Sequence, residues 1–147
     1  SFLNSVGKLG SLFDAQTRRL DEPHRALAAC EYLVANCHYD ARGYDSAYSA
    51  LSYGYAGSEG IALAYTELCR QLGIDCTVVY GQLDWADHCW NVIKLDGDYY
   101  HVDVTACIDG GIEAGFLKND EAMWGSYRWN ASDLKPCNGS LSYNDLR

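Results

Sequence analysis

His88-Cys89-Trp90-Asn91-Val92-Ile93-Lys94-Leu95, then Asp96-Gly97, then Asp98-Tyr99-Tyr100-His101-Val102-Asp103-Val104-Thr105 is the stretch that decides the fold. Two runs rich in β-branched and aromatic residues flank an Asp-Gly pair, a strong signal for a two-residue hairpin turn. With that pair at the tip, Leu95 faces Asp98, Trp90 faces Asp103 and His88 faces Thr105. Side chains alternate across a strand. His88, Trp90, Asp103 and Thr105 therefore share one face. Ile93, Leu95, Tyr100, Val102 and Val104 share the other, which is the more apolar and the expected core side. His88 and Asp103 become diagonal neighbours, about 5.5–8 Å apart at the backbone. A carboxylate there can hold an imidazole in one orientation and tautomer. A His near an Asp on a sheet is also, in the plain case, a surface pair or a satisfied core histidine. The hairpin argues for contact, not yet for chemistry.

Working outward, Cys76 to Leu83 alternates like a strand, with Val78 and Val79 β-branched. Before it, Ser58-Glu59-Gly60-Ile61-Ala62-Leu63-Ala64-Tyr65-Thr66-Glu67-Leu68-Cys69-Arg70-Gln71-Leu72-Gly73 is the strongest helix in the chain, with Gly73 as its stop. A loop with two glycines, Tyr53-Gly54-Tyr55-Ala56-Gly57, leads into it. Residues 45–52 predict a shorter helix. Asp21 as cap, Pro23 in the first turn and an apolar stripe to about residue 37 predict another. A further helix is predicted over residues 1–20. From residue 106 the chain is loop-rich, and Phe116, Trp124, Tyr127 and Trp129 are expected to pack over the sheet. Helices first and a meander second predict an α+β fold, with N-terminal helices on a small antiparallel β-sheet. One domain is expected over 1–147, its core at about 22–105 and a C-terminal extension at 106–147.

Ser58 has two readings. A serine at a helix start is, on position alone, an N-cap worth about 1 kcal/mol. The alternative is a nucleophile, because backbone N–H groups and the dipole at a helix N-terminus favour a developing oxyanion. On that alternative, Gly57 and Gly60 keep the approach to the site open.

The bulk numbers narrow the partners. The chain has 147 residues, 48% hydrophobic and 21% charged, so it can bury a sizeable core without staples. Its formal net charge of -9 makes it a poor partner for phosphate backbones and for anionic membrane surfaces. No apolar run approaches the roughly 20 residues of a membrane-spanning helix. Ser1-Phe2-Leu3-Asn4 shows no basic n-region and is not expected to be a signal peptide, although a removed leader leaves no trace. The 7 cysteines show no CxxC spacing. Cys30 and Cys37, on one helix, would stand about 10 Å apart along its axis, too far for a disulfide. Cys107 with Cys137 is a pairing the sequence allows but does not establish. Asp84, Asp87 and Asp109 lack EF-hand spacing. No metal and no cofactor are expected.

These strings resemble the transglutaminase-like domains of bacteria. Gly57-Ser58-Glu59-Gly60-Ile61-Ala62-Leu63-Ala64-Tyr65, with Leu72-Gly73-Ile74-Asp75-Cys76, is similar to the helix of that family. His88-Cys89-Trp90-Asn91 is similar to its His-x-Trp-Asn strand, and Val102-Asp103-Val104-Thr105 to its Val-Asp-x-Thr strand. Order and spacing agree across residues 53–105, and the tail from Phe116 to Gly139 resembles that of secreted bacterial members. The resemblance implies a papain-like triad: a nucleophile at Ser58, His88 as general base, and Asp103 orienting His88. Trp90 and Asn91 would support it. The oxyanion donors would be the N–H of Ser58 and a group of the preceding loop, Tyr53 or Tyr55.

It also implies action on amide bonds of peptides or proteins, by hydrolysis or acyl transfer. It further implies an extracellular or cell-surface setting in a bacterium. One departure matters, since the family has Cys where this chain has Ser58. A serine hydroxyl does not ionise at a helix N-terminus as a thiol does, so His88 must take its proton during attack. Weak activity is the first expectation. The alternative is an inactive module that binds peptide or cell-wall material. Cys89 neighbours His88 but points to the opposite strand face, and Cys107 lies beyond the strand, so neither is the expected nucleophile. The 12 tyrosines, many between residues 39 and 65, are either packing or an aromatic groove for an extended peptide or glycan.

Overall fold

The computed structural model describes residues 18–147, so the helix expected over 1–20 lies almost wholly outside the described residues. Helix α1 (Glu22–Asn36) starts where Asp21 accepts the N–H of His24 at 3.0 Å, with Pro23 in the first turn. It buries Ala26, Leu27, Ala29, Cys30 and Leu33. Strand β1 (His38–Tyr39) pairs in parallel with β2 (Tyr55–Ala56). Between them the helix expected over 45–52 is displaced toward a π-helical turn, Ser49–Tyr53, which Gly54 ends with a left-handed φ of 76°.

Helix α2 (Ser58–Gln71) buries Ile61, Ala64, Tyr65 and Leu68, one stripe at helical spacing. Gly73 stops it at φ 75°. Strands β3 (Asp75–Leu83), β4 (Ala86–Leu95) and β5 (Asp98–Val102) follow. With β6 (Tyr127–Arg128) they form one antiparallel sheet in the order β5-β4-β3-β6. The architecture is α+β, as expected.

The hairpin register is the expected one: Leu95 pairs Asp98, Ile93 pairs Tyr100 and Asn91 pairs Val102. Pairing stops there. Asp103 caps α3 (Val104–Gly110), so the strand expected to reach Thr105 ends three residues early and His88 does not face Thr105. An Asp whose carboxylate accepts the third following N–H starts a helix, and that local bond outcompetes two more ladder rungs.

Both sheet faces are covered. Ile93, Leu95, Tyr100, Val102 and Val104 pack against α1 and α2 in the larger core, as expected. Val79, Trp90, Val92, Met123 and Cys137 form a smaller one beneath the C-terminal segment. Tyr127 and Trp129 pack onto that second core, as expected. Phe116 instead enters the larger core, and Trp124 stays 61% exposed. All seven cysteines are free; Cys107 belongs to the larger core and Cys137 to the smaller. No described helix is long and apolar enough to cross a membrane.

Candidate active site

Asp103 is 1% exposed and every partner donates to it. Its Oδ1 accepts the N–H of Ala106 at 3.2 Å, the cap bond of α3. Its Oδ2 accepts the Tyr127 hydroxyl at 2.6 Å and stands 2.8 Å from Nε2 of His88. With the carboxylate accepting throughout, Nε2 carries the imidazole proton and Nδ1 keeps its lone pair. Among the described residues Nδ1 has no hydrogen-bond partner. Tyr127 went unnoticed in the sequence as a partner of Asp103. It arrives from β6, 24 residues on, and no motif marks it. Burial, and then the Asp103 charge, push its phenol far above the ordinary tyrosine range.

Ser58 opens α2 without capping it. The N-cap is Gly57, which has no side chain to offer, and Ser58 is the first helical residue. The cap comes from the preceding loop, where an Asp45 carboxylate oxygen accepts the N–H of Gly60. This corrects the N-cap reading of Ser58. It also corrects the role given to the glycines. A Cβ on Gly57 would stand 2.8 Å from Asp45 Oδ2, and one on Gly60 2.6 Å from the Ser46 nitrogen. The room they leave is filled by this loop.

The Ser58 Oγ accepts the N–H of Cys89 at 3.1 Å. The hydroxyl thus rests on the peptide unit that joins His88 to Cys89. It makes no hydrogen bond to the His88 ring, and its own proton has the Cys89 sulfur as an acceptor, a contact that lowers the Cys89 thiol against the raising effect of burial. The N–H groups of Ser58 and Glu59, first in the helix, carry no internal bond. Around them the charge is negative. Asp45 and Glu59 help raise the Cys89 thiol, though burial is the first cause, and together they push it up to about 11. The Glu59 carboxylate beside the Tyr80 hydroxyl, with burial second, pushes that phenol up to about 12. Cys89 is thus a poor thiolate, which agrees with setting it aside.

The expected supporting residues divide. Trp90 is fully buried, and its ring lies 6.0 Å from that of His88, 24° from parallel. Asn91 points into the other core. Its Nδ2 donates to Ala62 O at 3.0 Å, Thr66 Oγ1 at 2.9 Å and Thr77 O at 3.1 Å. That amide ties α2 to β3 and is not offered to a substrate. Tyr53 and Tyr55 stack on each other at 6.3 Å, and neither hydrogen-bonds Ser58. Cleft size does not select the site either. An opening of about 780 Å³ lies between Asp21, Gly73, Asp75, Lys94 and Asp96, and Ser58, His88 and Asp103 do not line it.

A family model described as the Transglutaminase-like superfamily matches residues 12–104. The chain belongs to the transglutaminase-like superfamily. The solved structures agree on the fold. A crystal structure of a TGase superposes with a TM-score of 0.60 at 18% identity, over 73% of this chain and 32% of that one. A candidate cysteine protease from Cytophaga hutchinsonii gives 0.60 at 18%, over 89% and 45%. A candidate protease from Parabacteroides distasonis gives 0.52 at 12%, over 65% and 26%. This chain thus spans less than half the length of each of the three. No curated protein matches it.

A second imidazole–carboxylate pair lies in this transglutaminase-like domain, below the first. His101 is fully buried, and its Nδ1 accepts the indole N–H of Trp90 at 3.0 Å. Its Nε2 meets Asp120 Oδ1 at 2.7 Å. Burial lowers its proton affinity, outweighing the raising effect of Asp120. A histidine harder to protonate folded than unfolded costs no stability while both states are neutral. The cost grows as pH falls below 6.5, where the unfolded chain takes the proton first. Cys137 is pushed up to about 12 by burial and then by the same carboxylate, and stays silent in that window. Exposed His24 works in the opposite direction, since its bond to Asp21 raises it. In a His24→Ala variant, the urea midpoint should therefore fall between pH 7.5 and pH 5. A midpoint flat over that range would contradict the assignment.

Proposed function

We propose that this domain acts on amide bonds of peptides or proteins, by hydrolysis or acyl transfer, with Ser58 standing where the family's nucleophilic cysteine stands. The observation that carries the reading is the pairing of a free His88 Nδ1 with an Nε2 held by Asp103, one peptide unit from the Ser58 hydroxyl. In the proposed step the Ser58 oxygen attacks the amide carbon and its proton passes to His88 Nδ1. The carbonyl oxygen becomes an oxyanion facing the free N–H groups at the start of α2. Collapse of the adduct breaks the C–N bond, and His88 returns the proton to the departing amine. Water or a second amine then attacks the ester, again with His88 as base. A bacterial extracellular or cell-surface setting, with peptide or cell-wall material as the substrate, belongs to the same proposal.

Turnover is expected to be low. The hydroxyl accepts a bond from Cys89 instead of donating one to His88, and the Asp45 charge sits on the same helix start. Those two observations favour a second reading, a module that holds peptide without cleaving it. A serine-directed phosphonate probe with mass spectrometry separates them. Labelling at Ser58, lost in Ser58→Ala, is the expected result for the enzyme. An unlabelled Ser58 in a protein that still binds peptide would hand the case to the binding module.

A further inference from the structure

The atoms of His101, Asp120 and Cys137 that could ligate a metal all lie within 4.8 Å of one another. The hydrogen bonds argue against an ion there. Nδ1 of His101 accepts from Trp90, so the neutral ring carries its proton on Nε2, and Nε2 has no lone pair to give. The same bonds point to another use. We infer that His101 and Asp120 are positioning residues that set the orientation of the His88 ring through Trp90.

The chain of contacts is short and buried. Asp120 is itself fixed at both ends of its turn. Its Oδ2 accepts the N–H of Cys137 at 3.1 Å, and its own N–H donates to Cys137 O at 2.7 Å. Asp120 fixes the His101 tautomer, and His101 then offers Trp90 an acceptor in one place only. That bond sets the rotation of the indole about its side-chain torsions, since the ring has a single donor. The indole is closed in on its other sides. A Cβ on Gly81 would meet its Cη2 at 2.6 Å, and Tyr127 lies edge-on at 5.1 Å. The face left over is the one on which His88 lies. His88 is thus held by Asp103 at its Nε2 edge and by Trp90 beneath its plane. The Tyr127 ring also lies 6.1 Å from His88, tilted by 55°, so an indole that shifts leaves the imidazole only that edge contact and its bond to Asp103, and the ring can tilt.

The effect on rate rests on the proposed use of His88; the effect on ring order does not. The test therefore reads both. In protein labelled with ¹⁵N and ¹³C, the wild type should show His101 protonated on Nε2 and one sharp Cε1–H resonance for His88. His101→Phe removes the acceptor. Asp120→Ala removes the anchor at a side chain that is 23% exposed. Both should broaden or double the His88 resonance and lower kcat with KM little changed, by up to about 100-fold for a displacement of an ångström. Asp120→Asn keeps an acceptor for Nε2–H while giving up the bond from the Cys137 N–H, and should restore a single resonance and most of the rate. A folded Asp120→Ala protein with the His88 resonance and kcat unchanged would overturn the inference, as would a His101 protonated on Nδ1. If the wild type turns nothing over, the resonance arm decides alone, and only the proposed function has failed.

Discussion

Asp103→Asn is expected to cut turnover of a peptide amide by about 10⁴-fold, the scale of a triad whose histidine adopts the wrong tautomer. The geometry says how. Oδ1 of Asp103 is engaged by the N–H of Ala106, a cap bond that the asparagine oxygen keeps. The amide nitrogen then falls where Oδ2 was, facing His88 Nε2 and the Tyr127 oxygen. Both can accept from it, so the buried group stays satisfied and the fold should survive. But His88 must now accept at Nε2, and its proton moves to Nδ1. The lone pair that would deprotonate Ser58 is gone. Making the change in a Ser58→Cys background provides the range in which to measure so large a drop. A folded Asp103→Asn protein with an undiminished rate would show that the His88–Asp103 pair is only a packing device.

Ser58→Cys is the second large effect, in the opposite direction. A thiol at that position gains what a hydroxyl cannot use. Two N–H groups without a partner among the described residues and the positive end of α2 favour a thiolate, and His88 stands beside it. At pH 7 an ordinary thiol is only a few per cent ionised, so even a partial lowering of its pKa should speed alkylation by about tenfold or more. Cys89 is the internal control. Pushed up to about 11, it should react far more slowly with iodoacetamide under the same conditions. Reductant must be present, because the sulfur of Cys89 lies against the Ser58 hydroxyl and two thiols there could close a disulfide. Amide turnover should rise above the wild-type level in parallel. Asp45 sets the limit, since its carboxylate occupies the Gly60 N–H and opposes the new negative charge. Should the new thiol prove no more reactive than Cys89, position 58 would not be a nucleophile's position.

Much of this site was legible because its spacing is local. An Asp-Gly tip forces the register, and the register puts His88 diagonal to Asp103 before any tertiary contact is considered. The stripe of Ile61, Ala64, Tyr65 and Leu68 announces α2, and with it the place of Ser58. What was misjudged involves groups competing for the same residue. The alternating pattern carries Thr105 into the ladder, but the Asp103 carboxylate has a local use as a cap. The cap is one of the two readings of Ser58, but Asp45 supplies it from 15 residues away. Asn91 has the polarity of a site residue, yet its amide closes a buried gap between α2 and β3.

The sequence by itself determined the three long strands, the turn, the long helix and the two members of the imidazole–carboxylate pair, because periodicity and turn chemistry act over a few residues. Only the tertiary structure decided that Tyr127 shares the carboxylate of Asp103, that Asp45 caps α2, and that His101 and Asp120 hold Trp90 beneath His88. These contacts join residues 11 to 24 positions apart through buried polar atoms. Which partner a buried donor finds depends on how the faces of the sheet are covered. That is settled by packing and by the cost of leaving a polar atom unpaired, and neither has a period that can be read along the chain.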